Sequence, residues 1–458
     1  MTVLVRQGTL PGHMPLTEQQ IRELFNRCDP EEPLEPGDSR NLDIEKDHRE
    51  TRGEPWVSRM ARQIERSNSP VMLFFSGLRG SGKSTELRRL AARLEGKHIL
   101  PILIDAEQLI NISSTIDIPD VLTMILDQTE RELLRREGKN PDEAMKESAI
   151  QRIWNYLSRT DIELTKFDLG PSVLGKFSGE MRTNPGLRER VRMATSKHLG
   201  TFIQEVFKEF AGFKVRAEAL QFEQMTVIVD SLEKLQGTSH TWKDVLDSAE
   251  RIFANDAPFL KLPVHVVYTF HPALTRRLKT EVVHLPLLKL RDRGGKDFPA
   301  GFDTVRELIR RRIPDGAMND IFGPVNAEAR IRELIKWSGG YPRELVRYLQ
   351  AILTEEVFPI SERGLQKILR STSRPYARLV LSNEATIALV ARVSETKSIT
   401  TSSKEEEEIL DLLLNNSIVF RYSNDEDWED VHPAVALLEE VQEAIRRRNL
   451  PPAAPASA

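Results

Sequence analysis

The sequence lacks a disulfide framework, long apolar runs and a large excess of either charge. Its single cysteine, Cys28, excludes an internal disulfide and is typical of a reducing compartment. The net charge of −4 gives no overall basic field that would attract nucleic acid or membrane. We find no signal-peptide segment and no apolar run long enough to span a bilayer. We therefore expect a soluble, cytoplasmic protein without membrane contact.

The segment 76–85 is the one around which the rest of the chain is organised. It contains a complete G-x-x-x-x-G-K-[ST] motif between an apolar run at 71–75 and leucines at helical spacing in 86–94. A strand, a glycine-rich loop and a helix let backbone N–H groups wrap a polyphosphate at the helix N-terminus. Lys83 is predicted to reach the β- and γ-phosphates, and Ser84 to hold Mg²⁺. The predicted nucleotide-binding residues of this loop are Gly77, Arg79, Gly80, Ser81, Gly82, Lys83, Ser84 and Thr85.

A second motif follows downstream, at residues 226–230. Apolar residues there end in Asp230, which is predicted to orient Mg²⁺. The glutamate that usually comes next is absent, and Ser231 takes its place. Glu233 is therefore our candidate base for polarising the attacking water, and a surface carboxylate is the alternative interpretation.

Other strand ends carry further polar candidates. Thr269, at the end of the predicted strand 263–269, could contact the γ-phosphate or the attacking water. His271 is a weaker candidate, because a lone histidine can simply be a loop residue. Asp105 and Glu107 could be metal ligands, but we favour the simpler interpretation that they end a strand, since open α/β sheets place polar groups at their carboxyl edge.

The segment between Gly339 and Arg343 marks a helix boundary. Gly339 and Gly340 can end one helix, and Pro342 can begin the next. Arg343 would then lie in the first turn, where the helix dipole disfavours a cation. We therefore expect an anion nearby, and a nucleotide phosphate is the simplest choice.

These patterns predict an α/β fold: a P-loop NTPase parallel sheet with a large helical insertion, then a helical lid and a winged-helix domain. The winged helix is inferred from helices followed by a hairpin at 418–422 and 428–431. Breaks at 168–171 and 183–186 interrupt the insertion. The predicted parts are an N-terminal arm (1–50), a P-loop ATPase domain (51–295, with the insertion at about 117–222), the lid (296–372), the winged helix (373–448) and a disordered tail (449–458).

Four pieces of the sequence match one known group of proteins. They are the phosphate loop, the strand ending at Asp230, the Gly340-Tyr341-Pro342 sequence with Arg343, and the helices and hairpin that follow. Over residues 48–445 the chain resembles the bacterial P-loop ATPases of the STAND and origin-recognition-initiator branch of the AAA+ superfamily. The resemblance implies ATP or ADP and Mg²⁺ as ligands.

The resemblance also implies roles for individual residues. Arg52 and Gly53 look like the short motif that helps seat the adenine, and Arg343, after Pro342, looks like the lid arginine that approaches the γ-phosphate. His432 sits where related switch proteins place a histidine that contacts the β-phosphate of ADP; its alternative is a helix N-terminal residue packed near Trp428. An arginine finger acting in trans could be any of Arg310, Arg311 and Arg312.

The function implied is a nucleotide-dependent switch or assembly regulator of STAND-like type that hydrolyses ATP slowly. We expect a homo-oligomer in the ATP state and a separate protein effector or sensor, in a bacterial defence or signalling setting. The alternatives are a DNA-associated AAA+ loader or transposition-type regulator, and a small-molecule phosphotransferase. Acidic residues at 405–408 and 425–430 disfavour DNA binding by the winged helix, because phosphate contacts need Lys and Arg.

Overall fold

The computed structural model describes residues 16–144, 148–160 and 183–449, except residues 236, 239, 256, 279, 424 and 425. Three predictions lie outside the described residues, wholly or in part: the start of the arm, the break at 168–171 and the tail beyond residue 449. The break at 183–186 falls where a new helix begins at Pro185. None of the described helices combines the length and apolar character that a membrane span needs.

Five strands form one parallel sheet: β1 (Met72–Ser76), β2 (Ile99–Asp105), β3 (Gln224–Asp230), β4 (His265–Phe270) and β5 (Val282–His284). Their order in the sheet is β2-β3-β4-β1-β5, so that β4 separates the phosphate-loop strand β1 from β3. The strand β5 is short, and Pro286, which lacks an N–H group, follows its end.

Both faces of the sheet are buried, which explains the continuous apolar runs of its strands. Side chains alternate between the faces, as Phe74 and Phe75 illustrate. Phe75 packs with the helices Trp56–Glu65 and Lys83–Glu95, whereas Phe74 packs on the side of the helical insertion. The insertion lies between β2 and β3, and its main helices are Ile118–Arg136, Ala149–Thr160, Pro185–Ser196 and Leu199–Ala219.

The lid follows the sheet as a helical layer with its own core. Gly339 ends one lid helix in the left-handed conformation, and Pro342 occupies the first turn of the next, as the sequence indicated. The helix Trp242–Glu250 lies between β3 and β4. The helices after the sheet are Pro299–Arg310, Asp315–Phe322, Ala327–Ser338, Pro342–Ile352 and Glu362–Val380.

The N-terminal arm begins with the helix Glu18–Arg27, whose Thr17 and Gln20 form a capping box. Leu24, Cys28 and Ile44 of the arm are buried in the core of the lid. The arm contacts two parts of the chain: its apolar side chains complete the lid core, and its residues 29–34 reach the phosphate loop of the next domain.

The C-terminal part consists of helices followed by an antiparallel hairpin, as predicted. The hairpin strands are β6 (Val419–Ser423) and β7 (Asp427–Val431). The helices here are Glu384–Thr396, Lys404–Asn415 and Glu439–Arg448.

A connecting segment at 285–289 joins all these parts through backbone hydrogen bonds. Its N–H groups donate to Ser76 at the end of β1, to Arg421 in the hairpin, to Gly340 in the lid and to Thr51, the residue that follows the arm. The strand β1, the lid, the hairpin and the start of the P-loop domain therefore meet along one stretch of chain.

Candidate functional site

A cavity of about 400 Å³ opens at the carboxyl ends of the strands, where open α/β sheets bind ligands. Its walls come from the phosphate loop, the end of β3, the start of the lid helix Pro342–Ile352 and the arm segment 29–34. Lys83, Ser84, Asp230, Glu233 and Arg343, which the sequence separates widely, all line it. Most of the residues predicted to form the site thus line one cavity.

Lys83 lies inside the curve of the phosphate loop, in the first turn of the helix Lys83–Glu95. Its Nζ donates hydrogen bonds of 3.0 Å to the carbonyl oxygens of Gly77 and Leu78. It also lies 2.9 Å from Oε1 of Glu233, and both side chains are buried. A phosphate entering the loop would meet this ammonium group at the positive end of the helix.

The electrostatics of Glu233 are dominated by two opposing effects. Burial is the largest effect and raises the pKa of its carboxyl, but the Lys83 charge and hydrogen bonds from Lys83, Thr269 and the backbone together lower it by more, so the pKa lies below its ordinary value and Glu233 is ionised. Its second oxygen, Oε2, accepts no hydrogen bond of standard geometry from any described residue. The carboxylate therefore has one oxygen held by Lys83 and one available to a water molecule.

Asp230 and Ser84 form the oxygen-rich side of the site. Burial, and secondly the Glu233 charge, raises the pKa of Asp230 to about 6, and the facing Ser84 hydroxyl opposes this rise. A carboxylate and a hydroxyl oxygen are ligands that Mg²⁺ accepts, so these residues fit the predicted metal role.

Thr269 lies between the phosphate loop and Asp230, because β4 separates β1 from β3. Its Oγ1 accepts a hydrogen bond of 3.1 Å from the N–H of Leu232, just before Glu233. Ser231, which lies between Asp230 and Leu232, has the left-handed φ of 68°, an unfavourable conformation for a residue with a side chain. The strained turn and the Thr269 bond together fix where the Glu233 carboxylate lies.

Arg52 contacts the phosphate loop from outside the cavity. Its guanidinium donates to the Ser81 carbonyl oxygen at 2.7 Å and to Oε1 of Glu86 at 2.9 Å, and both side chains of this ion pair are buried. Arg52 and Gly53 do not line the cavity, so the structure gives Arg52 a contact with the loop in the place where the resemblance implied one with adenine. Ser81 has a buried Oγ without a hydrogen-bond partner among the described residues.

Arg343 lies directly on the phosphate loop. A Cβ at Gly80 would come within 2.6 Å of the Arg343 side chain, and Gly80 has the positive φ of 85°, so only glycine suits this contact. The anion that the sequence led us to expect beside Arg343 is Glu31 of the arm, at 2.9 Å from Nη2. Pro342 lines the same cavity.

The remaining loop residues hold the arm and the lid in place. The Thr85 hydroxyl accepts a 3.2 Å hydrogen bond from the Leu34 N–H, and the Arg79 carbonyl accepts one from the Tyr341 hydroxyl. Gly82 precedes the helix in the left-handed conformation. Gly77 closely approaches the Leu285 carbonyl of the connecting segment.

His432 lies apart from the cavity. It is fully buried, its Nδ1 accepts a hydrogen bond from the Ala434 N–H, and its Nε2 lies 3.7 Å from a Glu344 oxygen. Its ring packs against Tyr376 and Phe420. The structure therefore gives it a helix-capping position, as in our alternative interpretation, but with Tyr376 and Phe420 in place of Trp428 as its ring neighbours.

The weaker candidates have partners within the protein. Asp105 caps a short helix by accepting from the Glu107 N–H, and Glu107 pairs with Lys234, which favours the strand-end interpretation. His271 caps another short helix, and its Nε2 lies 3.0 Å from Oδ1 of Asn415.

The three finger candidates differ in position. Arg310 is partly exposed and pairs with Asp315, Arg311 pairs with Glu307, and Arg312 lines the cavity of its own chain.

Two site residues escaped the sequence analysis. Glu31 contacts Arg343, and Arg347 lies 3.7 Å from Glu31. Arg347 follows Arg343 by one helical turn, so helical periodicity could have placed both on one face. Nothing local in the sequence marks Glu31, because its contact joins distant parts of the chain.

Fold and site together define an α/β protein with a phosphate-loop cavity covered by a helical lid. No family model matches the chain, and no curated protein matches it. Among solved structures, it is similar to the ORC2 protein of Aeropyrum pernix in its ADPNP-ADP complexes, at 11% identity and a TM-score of 0.34, covering 93% of this chain and 98% of that one.

Two further structures show the same degree of likeness. They are the ADP form of the same ORC2 protein (10% identity, TM-score 0.38) and Cdc6p from Pyrobaculum aerophilum (11% identity, TM-score 0.32). Each match covers 92% of this chain and 98% of the other. At TM-scores this low the likeness carries no conclusion about activity.

Proposed function

We propose that this protein binds ATP with Mg²⁺, hydrolyses it slowly and changes state with the bound nucleotide. The observation that carries the proposal is the convergence of Lys83, the Ser84–Asp230 pair and Glu233 in one cavity at the carboxyl edge of the sheet. The glycine loop supplies backbone N–H groups for a polyphosphate, and a buried lysine lies within it.

Each residue has a role that its position supports. Lys83 would contact the nucleotide phosphates, and Ser84 and Asp230 would hold Mg²⁺, which when bound neutralises charge on the phosphates. Glu233 would accept a proton from the attacking water through Oε2, the oxygen that accepts no hydrogen bond of standard geometry from the described residues. Arg343, lying against Gly80, would approach the γ-phosphate.

Slow turnover is part of the proposal because Glu233 is not a free base. Its Oε1 is held at 2.9 Å by Lys83, and Ser231 occupies the position where a glutamate usually follows the aspartate. The pKa of Glu233 is also lowered by Lys83, which makes it a weak proton acceptor.

We further propose that the ATP state assembles into a homo-oligomer and acts with a separate protein effector or sensor, in bacterial defence or signalling. The support is the resemblance of the motifs to STAND-like switches. Arg310, half exposed on the lid, suits a finger that reaches the cavity of a neighbouring subunit.

The test is to release and identify the nucleotide that the purified protein carries, and to measure its turnover. We expect bound adenine nucleotide, loss of binding in Lys83→Ala, and no loss in the control Lys97→Ala, which changes an exposed lysine beyond the same helix. Glu233→Gln should retain ATP and accumulate the oligomer. A wild-type protein that binds no nucleotide would contradict the proposal, and hydrolysis at the parental rate by Glu233→Gln would contradict the base assignment alone.

A further inference from the structure

The arm segment 29–34 crosses the mouth of the phosphate-loop cavity. It has the sequence Asp-Pro-Glu-Glu-Pro-Leu, in which two prolines restrict the backbone. The Leu34 N–H donates to the Thr85 hydroxyl at 3.2 Å, and Arg88 donates to the Pro33 carbonyl oxygen. The Glu31 N–H donates to an Asp29 oxygen at 2.8 Å. These bonds hold the Glu31 side chain over the loop.

Glu31 faces three arginines that converge from two elements. Its carboxylate lies 2.9 Å from Arg343 and 3.7 Å from Arg347 on the lid helix, and 3.9 Å from Arg79 on the phosphate loop. Arg347 shares its charge with Glu344 at 3.7 Å. One exposed carboxylate therefore faces more positive charge than it neutralises, and a group with several negative oxygens would suit this cluster better.

The position of the cluster relates it to the nucleotide. Arg343 packs on Gly80 of the phosphate loop, and Arg79 directly precedes Gly80. The arginines therefore surround the outer part of the loop. A phosphate bound there and the Glu31 carboxylate would need the same guanidinium groups.

We propose that Glu31 competes with the terminal phosphate of a nucleoside triphosphate for Arg79, Arg343 and Arg347. The inference rests on the proposed nucleotide binding. A triphosphate displaces Glu31 and releases the segment 29–34 from the cavity, whereas a diphosphate leaves the contact in place. Because the helix of the arm packs in the lid core, release of the segment 29–34 changes the attachment of the arm to the lid.

The first test compares Glu31→Gln with the control Glu23→Gln. Glu23 is an exposed acid on the arm helix Glu18–Arg27 that does not line the cavity, and its carboxylate accepts a hydrogen bond from Gln19. Dissociation constants are measured for fluorescent ATP and ADP analogues. We expect Glu31→Gln to tighten triphosphate binding about tenfold by removing a charge-assisted competitor, and to leave diphosphate binding unchanged. Glu23→Gln should bind both like the wild type.

An equal gain for both nucleotides, or no gain for either, would overturn the competition while leaving the proposed function intact. If neither the wild type nor the variants bound any nucleotide, both the competition and the proposed function would be contradicted. The separate readouts therefore distinguish the two failures.

A second test follows the arm itself. Cys28 is buried, and burial raises the pKa of its thiol to about 11, so a cysteine at the exposed position Glu35 is the reactive thiol of choice. A spin label on Glu35→Cys should become more mobile with saturating ATP analogue and not with ADP. Unchanged mobility with both would contradict displacement of the arm.

Discussion

At the scale of single residues, Lys83 and Glu233 stabilise each other inside the protein. Both are buried, and their charged atoms lie 2.9 Å apart. Removing one partner leaves the other as an unpaired buried charge, which is strongly destabilising, whereas removing both is not. A loss of activity in either single variant therefore mixes a chemical effect with a structural one.

This pair makes the first prediction, a double-mutant cycle. Lys83→Met and Glu233→Gln should each lower the free energy of unfolding by about 3 kcal/mol, and the double variant should lose less than the sum. Urea denaturation followed by tryptophan fluorescence measures all four proteins. Additive losses would show that the two charges do not interact. The double variant should fold and should still fail to bind nucleotide. It therefore separates the effect on folding from the effect on nucleotide binding.

His271 makes the second prediction, on pH. Burial lowers the pKa of its imidazole to about 4, and its ordinary value is 6.5. The unfolded chain therefore takes up a proton at a higher pH than the folded one, so His271 contributes stability above pH 6.5 that is lost as the pH falls towards 4. The difference of about 2.5 pKa units corresponds to about 3 kcal/mol.

The measurement compares the wild type with His271→Gln between pH 7 and 4, expressed as the free energy of unfolding. The variant should lose less stability than the wild type across this range, because it has no imidazole to protonate. Parallel pH profiles would show that His271 does not titrate in this window. Burial also lowers the pKa of His284. This residue is present in both proteins, so its contribution to the pH dependence of stability is the same in each.

At the scale of elements, the turn between two lid helices depends on Gly340. It has a φ of 76°, and a Cβ there would lie 1.7 Å from the Leu288 carbonyl oxygen of the connecting segment. The Leu288 N–H in turn donates to the Gly340 carbonyl at 3.2 Å. The lid can approach the sheet this closely only where no side chain intervenes.

The third prediction follows from this contact. Gly340→Ala should lower the free energy of unfolding by about 3 kcal/mol or more, from backbone strain and overlap together. The matched control is Gly316→Ala, at a helical position with open space around the new Cβ, which should be neutral or stabilising by up to about 1 kcal/mol. Equal effects of the two substitutions in thermal unfolding would contradict the role of the Gly340 contact.

The strands and the phosphate loop could be predicted from the sequence because their signals are local. An apolar run followed by a glycine loop specifies β1 and its helix within a few turns of chain. The anion beside Arg343 was expected from the helix dipole, but its identity as Glu31 was not, because pairing between distant segments leaves no local pattern. The positions of Arg52 and His432 likewise depend on packing partners, Glu86 and Tyr376, that no motif names.

At the scale of the whole molecule, acidic residues of the hairpin are matched by basic residues from the C-terminal part and from the P-loop domain. Asp427 pairs with Arg421, Asp430 with Lys397 at 2.6 Å, and Glu426 with Arg293 at 3.4 Å. These pairs occupy basic side chains that would otherwise be available to phosphates. The hairpin therefore offers little net positive charge to a duplex.

The fourth prediction is that the protein does not bind duplex DNA through this surface. At about 50 mM salt, where phosphate contacts are strong, we expect no change in the fluorescence anisotropy of a labelled duplex, with or without ATP. Binding that weakens steeply as salt is raised would instead support the DNA-associated alternative.

The connecting segment 285–289 also has a consequence for the order of folding. Its backbone partners, Ser76, Arg421, Gly340 and Thr51, are spread over most of the chain. Contacts between distant residues form slowly, because the intervening chain must first be ordered. The segment can therefore complete its bonds only after the sheet, the lid, the hairpin and the short helix Arg49–Thr51 have each taken shape, so that changes within it should speed unfolding far more than they slow folding.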